Sequence, residues 1–194
     1  MTSPDPIELL RHLAERAEQL PTADEPSPLQ ALVAAVEHLA TTAATTGTNE
    51  LLDHGVSLAA EHSGADGVVL FRYDGEAVRV VRRLRSVWTP RPEELPANWF
   101  PWSLGSMSPN RFLFVADCRS LPIGPGSSPL LGDIGVHSCV HLPILERSHT
   151  AGAMQLFWKD PLGAWDDAVG PALRNLGRFL LNRASDSEVA LTLG

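Results

Sequence analysis

Two stretches of this chain are rich in β-forming residues without helical spacing, and each doubles back after a short break. In the first, GVVLFRY and EAVRVVRRLRS flank Asp74-Gly75, the dipeptide that a tight type I′ turn prefers. In the second, VHSCVHLPIL and TAGAMQLFW are joined through ERSH. Strands linked by so little chain must pair antiparallel, because a parallel return needs a dozen or more residues. Arg111 to Asp117, RFLFVAD, reads as a further strand. The fold is therefore an antiparallel sheet that has to bury a face against other elements.

Helices supply that cover. Ile7, Leu10, Leu13, Ala17 and Leu20 recur at helical spacing and predict a helix over Pro6 to Leu20. A Pro-rich linker at 21–28 follows, and Ser27-Pro28 is a cap and first-turn pair for a second helix carrying Leu29, Leu32, Val33, Val36, Leu39 and Ala40. Threonines weaken that helix and Gly47 is placed to stop it, while Thr48 is placed to cap a third, with Leu51, Leu52, Val56 and Ala59 inward. A closing helix runs through Val169, Leu173, Leu176, Phe179 and Leu180. Pro171 either kinks that helix or marks its first turn. Between the two strand pairs lies Trp88 to Asn110, rich in proline and tryptophan and too long for an ordinary connection, so it is expected to lie structured against the domain. A short helix is expected around Leu130 to Ile134.

The formal charge of −8 argues against a nucleic-acid surface, and the basic run Arg79 to Arg85 reads as the solvated edge of a sheet. Cys118 and Cys139 are too few for a disulfide framework. With no signal-like start and no apolar run of the ~20 residues a bilayer requires, a cytoplasmic, membrane-free protein is expected.

The segments ADGVVLFRYDG, FPWSLGSMSPNRFLFVADCRSLP, LGDIGVHSCVHLPILERSHTAGAMQLFW and LGRFLLNRA together resemble a GAF domain, of the sensory kind found in phytochromes and upstream of bacterial histidine kinases. The pattern is Gly135-Val136-x-Ser138, then Pro143, a hairpin with Gly152, and a tryptophan before the last helix. The resemblance implies an α+β domain over 48–184: an antiparallel sheet of five or six strands, terminal helices on one face and a small-molecule cavity on the other. Residues 1–47 then form an amino-terminal helical extension and 185–194 a tail. Such domains often dimerise through their terminal helices, and two stripes, Leu29/Leu32/Val36/Leu39 and Leu173/Leu176/Leu180, serve either a homodimer or the chain's own core. With no output domain read after Ala184, the expectation is that the domain acts through another chain, a histidine kinase or regulator, or that this chain is a fragment of something larger.

The residues with most chemistry are His137, Cys139 and His141, at every second position of one strand. By spacing alone they are metal ligands, catalytic groups, a pocket lining or tolerated core polars. Alternation puts Val136, Ser138, Val140 and Leu142 on the other face. The resemblance implies that Cys139 and His141, with Ala153, Gln155 and Phe157 on the next strand, line a ligand pocket roofed by Trp99, Phe100 and Trp102, and His137, on their face by alternation, is expected to line it with them. The ligand itself is not named by the sequence.

Sharper activities lack their residues. No second His/Cys pair completes a metal site; Cys118, His149 and His54 stand apart. A covalently attached bilin needs a Cys-His pair where Gly126 and Ser127 stand, and haem needs a histidine absent from Leu130 to Ile134, so neither cofactor is expected. The Cys-Gly and Ala-Cys-Asp signatures of free-methionine-sulfoxide reductases are missing, as is the cyclic-nucleotide signature Asn-Lys-x-Asp-Glu. The expectation is a non-catalytic sensory or regulatory domain. Its alternatives are an interaction module whose cavity its own side chains fill and, less favoured, a thiol-dependent reductase of the methionine-sulfoxide type.

Overall fold

The computed structural model describes residues 26–74, 77–84, 94–96, 111–120, 135–146 and 149–192. The helix expected over Pro6 to Leu20, most of the 21–28 linker, the turn residue Gly75, nearly all of Trp88 to Asn110 and the Leu130 to Ile134 helix lie outside them.

Six strands form one antiparallel sheet: β1 (Gly67–Asp74), β2 (Ala77–Leu84), β3 (Glu94–Pro96), β4 (Leu113–Val115), β5 (Ser138–Glu146) and β6 (His149–Trp158). Their order across the sheet is β3-β2-β1-β6-β5-β4. Both strand pairs read from the sequence are present, but the strands run further than expected: Asp74, read as a turn residue, ends β1 opposite Ala77, and Glu146 and His149, read as the connection, pair with each other. Pro143 sits in β5 beyond the end of β4, which pairs only with residues 139–141, so its missing amide hydrogen faces no strand on that side.

Three described helices pack on one face: α1 (Pro28–Thr42), α2 (Thr48–Ser63) and α3 (Gly170–Thr192). Ser27 caps α1 as expected. Its Oγ accepts from Gln30 N at 3.3 Å while Gln30 Oε1 accepts from Ser27 N at 2.9 Å, and Pro28 fills the first turn. The next boundary differs from expectation. The α1 helix stops at Thr42, where the Thr41 and Thr42 hydroxyls donate to the His38 carbonyl. Gly47 opens α2 rather than closing α1, and Thr48 is the first helical residue rather than the cap. Gly64, at φ 66°, ends α2 in the left-handed conformation that glycine adopts without steric cost. Pro171 falls in the first turn of α3, where no amide hydrogen is needed, so it does not kink the helix. That helix continues to Thr192, through the stretch read as a tail.

The main core lies between sheet and helices. Val68 and Leu70 of β1, Val140, Leu142 and Ile144 of β5, and Met154 and Leu156 of β6 meet Leu32 and Leu39, Leu51 and Val56, and Leu173, Leu176 and Leu180. Each leucine so buried contributes about 1.5–3 kcal/mol. The α3 stripe Leu173/Leu176/Leu180 is thus internal core, as are Leu32 and Leu39 of the α1 stripe, all at most 1% exposed within the single chain, whereas Leu29 and Val36 are only partly buried. Two close approaches need glycine. A Cβ at Gly55 would lie 2.6 Å from Leu180 Cδ1, and one at Gly152 would overlap the Phe71 carbonyl oxygen. In the basic run, Arg82 is tied to α2, its Nε donating to Asp53 Oδ1 at 2.6 Å, and that hydrogen bond holds the Asp53 carboxyl below its usual range.

Candidate functional site

The opposite face of the sheet carries a second, smaller cluster: Val69 and Phe71 of β1, Val78 of β2, Val115 of β4, Cys118, Val136, Cys139 of β5 and Phe157 of β6. Strand alternation produces it. Every residue of β1 and β5 that points away from the helices has a same-face neighbour directly across the ladder. One row across four strands is Val69, Gln155, His141 and Leu113; the next is Gly67, Phe157, Cys139 and Val115.

Cys139, His141, Gln155 and Phe157 are therefore brought together on the face away from the helices, and Ala153 lies opposite Phe71 and Pro143. All four are at most 2% exposed. Burial drives the His141 imidazole down to about 3, so the ring is neutral at physiological pH and offers one donor and one acceptor. Its Nε2 lies 3.3 Å from the Tyr73 hydroxyl. The Gln155 Nε2 has no hydrogen-bond partner among the described residues, although the side chain is buried.

His137 stands apart from this group. The strand begins only at Ser138, so His137 and Val136 are not held to its alternation. Gly135, at φ 80°, turns the chain just before. Val136 consequently packs in the Cys139 cluster rather than on the face of Val140, contrary to the alternation expected from the sequence. The His137 backbone bridges two segments, its N donating to Trp158 O at 2.9 Å and its O accepting from Cys118 N at 2.7 Å. Its half-buried ring lies near enough to Asp117 to help lower that carboxyl, behind the larger effect of Arg119. Ser138 points to the helix face, its hydroxyl donating to Ala116 O at 2.6 Å and accepting from Leu162 N at 2.7 Å. Trp99, Phe100 and Trp102, the expected roof, lie outside the described residues.

Two participants were not singled out from the sequence as site residues. Tyr73 could have been found, because Val69, Phe71 and Tyr73 alternate onto one face of β1. Cys118 had no sequence signal; only the pairing of β4 with β5 brings it beside Cys139. Among the described residues no three His, Cys, Asp or Glu side chains gather to hold a metal ion. No described helix is long and apolar enough to cross a membrane. A hollow of about 220 Å³ bordered by Arg72, Tyr73, Leu145, Glu146, Arg178 and Ser185 opens at the end of the sheet beside α3, away from Cys139 and Gln155.

No family model matches the chain, and no curated protein matches it. Solved structures do. The chain is similar to the phycoerythrobilin-bound GAF domain of a cyanobacterial phytochrome, at TM-score 0.60 and 10% identity over 81% of this chain and 97% of that one. It is similar to free methionine-R-sulfoxide reductase of Neisseria meningitidis, at TM-score 0.57 and 13% identity, covering 88% and 98%. The chromophore-binding domain of a Stigmatella aurantiaca bacteriophytochrome matches at TM-score 0.55 and 17% identity over 83% of this chain, which spans 63% of that domain. With a six-stranded antiparallel sheet, helices on one face and these neighbours, the chain has a GAF fold.

Proposed function

We propose that this is a non-catalytic, cytoplasmic sensory domain that binds a small molecule against the sheet face carrying Cys139, His141, Gln155 and Phe157. His137 lies at the rim, and Trp99, Phe100 and Trp102 form the roof. Residues 48–184 are the sensing unit, and 1–47 an extension. The signal passes through the terminal helices to a second copy or to a histidine kinase or regulator. One observation carries this reading: a neutral imidazole bonded to Tyr73 and a primary amide whose Nε2 meets no oxygen or nitrogen acceptor among the described residues, only the Cys139 thiol beside it, are buried on one sheet face. A buried polar group left unmatched costs about 1–3 kcal/mol, so an arrangement of this kind favours a ligand that supplies the missing acceptor amid apolar contacts. The similar phytochrome domains, one of them bilin-bound, support the sensory part of the reading. Covalent bilin and haem stay disfavoured for want of their anchoring residues.

The alternative, an interaction module whose cavity is self-filled, is favoured by one fact: the chain's own atoms leave His141 and Gln155 each 1% exposed. The two readings separate in native mass spectrometry and an absorption spectrum of freshly purified full-length chain. A thermal-shift series with phycoerythrobilin and methionine-R-sulfoxide as probes accompanies them. A ligand at a hundred times its Kd stabilises the fold by about 2.7 kcal/mol. A small-molecule mass released on denaturation, or a Tm rise lost in His141→Phe, supports the sensor. No adduct and no Tm response to either probe supports the self-filled module. Turnover of the sulfoxide at the expense of thiols would reinstate the reductase.

A further inference from the structure

The two cysteines, 21 positions apart in sequence, meet in the fold. Val115 of β4 pairs with Cys139 of β5, and three residues later Cys118 opens a short 3₁₀ turn whose N–H is bound to the His137 carbonyl at 2.7 Å. Both thiols are free and buried, at 2% and 0% exposure, in one cluster with Val115, Val136 and Phe157. Strand pairing and the Cys118 N–H to His137 carbonyl hydrogen bond bring both thiols into that cluster from neighbouring segments.

We propose that Cys118 and Cys139 form a reversible intramolecular disulfide, with a hydroperoxide as oxidant, making this sheet face a two-electron redox site. This goes beyond ligand sensing and needs no ligand. The Cys118 thiolate attacks one peroxide oxygen and the O–O bond breaks. The other oxygen leaves as alkoxide or hydroxide and takes a proton, giving an alcohol or water and a Cys118 sulfenic acid. The Cys139 thiol then gives up its proton and attacks the Cys118 sulfur. The S–O bond breaks and the hydroxide departs with that proton as water. Two thiols are oxidised by two electrons and one peroxide is reduced.

The order follows from position: Cys118 lies in the turn after β4, at the end of the sheet, whereas Cys139 lies inside β5 between β4 and β6, so a peroxide meets Cys118 first. The interaction with Cys139 lowers the Cys118 titration, whereas the Cys118 sulfur and burial together push Cys139 well up. A thiolate is the attacking species, so Cys118 takes the first step and Cys139 resolves it. Disulfides in reducing compartments are transient and regulatory, which suits a thiol pair held reduced at rest.

The full chain, reduced and desalted, is treated with equimolar hydrogen peroxide and read by intact mass and non-reducing peptide mapping. The expected result is loss of two hydrogen masses, a Cys118–Cys139 cross-linked peptide and a raised Tm, all reversed by dithiothreitol. In Cys139→Ala, dimedone labels Cys118. In Cys118→Ala, neither product forms. Circular dichroism and melting curves establish that each variant is folded. Thiols that stay unmodified in the folded protein yet react in denaturant overturn the proposal, as does oxidation of Cys118 to a sulfinic acid with no cross-link.

Discussion

Replacing His141 with phenylalanine should remove a specific acid sensitivity of the fold, and its size follows from one burial. In the unfolded chain the imidazole titrates near its ordinary 6.5; in the fold, burial holds it at about 3. Between those values the unfolded state binds a proton that the native state does not, so stability falls as pH falls through that window and is full above pH 6.5. Each pH unit inside the window removes about 1.36 kcal/mol, so acidification from well above pH 6.5 to pH 4.5 removes about 2.7 kcal/mol, a large part of a domain's stability. The paired carboxylates do not blur this. Asp53 and Asp117 are held below their ordinary 3.8 by Arg82 and Arg119 respectively, so their contributions are lost only at lower pH. The assay is urea unfolding of the wild type and His141→Phe at half-unit steps from pH 8 to 4.5. The expected outcome is a wild-type curve steeper by about 1 kcal/mol per pH unit below 6.5. Identical slopes in the two proteins, or an NMR titration of His141 near 6.5, would refute the claim that this ring is buried uncharged.

Two further substitutions test how the site is framed. Ser138→Ala leaves the Leu162 amide and the Ala116 carbonyl without the hydroxyl that joins them, and should cost about 2 kcal/mol in urea unfolding with the m-value unchanged. Gly152→Ala forces a methyl onto the Phe71 carbonyl oxygen and within 2.7 Å of Leu181 Cδ1, and should cost about 3 kcal/mol by calorimetry, whereas Gly163→Ala, with nothing within 4 Å, should leave Tm unchanged.

The sheet was legible because its signals are local. β-rich runs and a short break specify a hairpin without knowledge of the rest of the chain, and Ser27-Pro28 specifies a helix start within two residues. What the sequence left ambiguous was decided by competition between neighbours. Gly47 could end one helix or begin another, and the threonine hydroxyls that end α1 first decide it. Val136 follows the alternation of β5 on paper, but a left-handed Gly135 and a strand that begins two residues later turn it to the other face. The leucine stripes of α1 and α3 had the spacing of either a dimer seam or a core, and only the near-zero exposure of Leu32, Leu39, Leu173, Leu176 and Leu180 in one chain separates the two. Cys118 was illegible for a different reason: its neighbour is 21 residues away, and long-range strand pairing leaves no local trace.

The two faces of the sheet differ in what they do for stability, and β1 shows how they are joined. Successive residues of a strand point to opposite sides. Tyr73 reaches His141 on the polar face, while Arg72, one peptide away, turns to the helices, its Nη2 donating to the Leu181 carbonyl at 2.7 Å and to the Ser185 hydroxyl at 2.5 Å on α3. The helix face is apolar and fully packed, and it supplies most of the burial that holds the domain together. The other face carries a neutral histidine, an amide without a described partner and two thiols in a smaller cluster, groups that reduce stability relative to aliphatic residues of similar size. Local rules broken together at one place mark sites held for a purpose other than folding. A change at His141 therefore meets, through Tyr73, a strand that Arg72 already bonds to the carboxy-terminal helix.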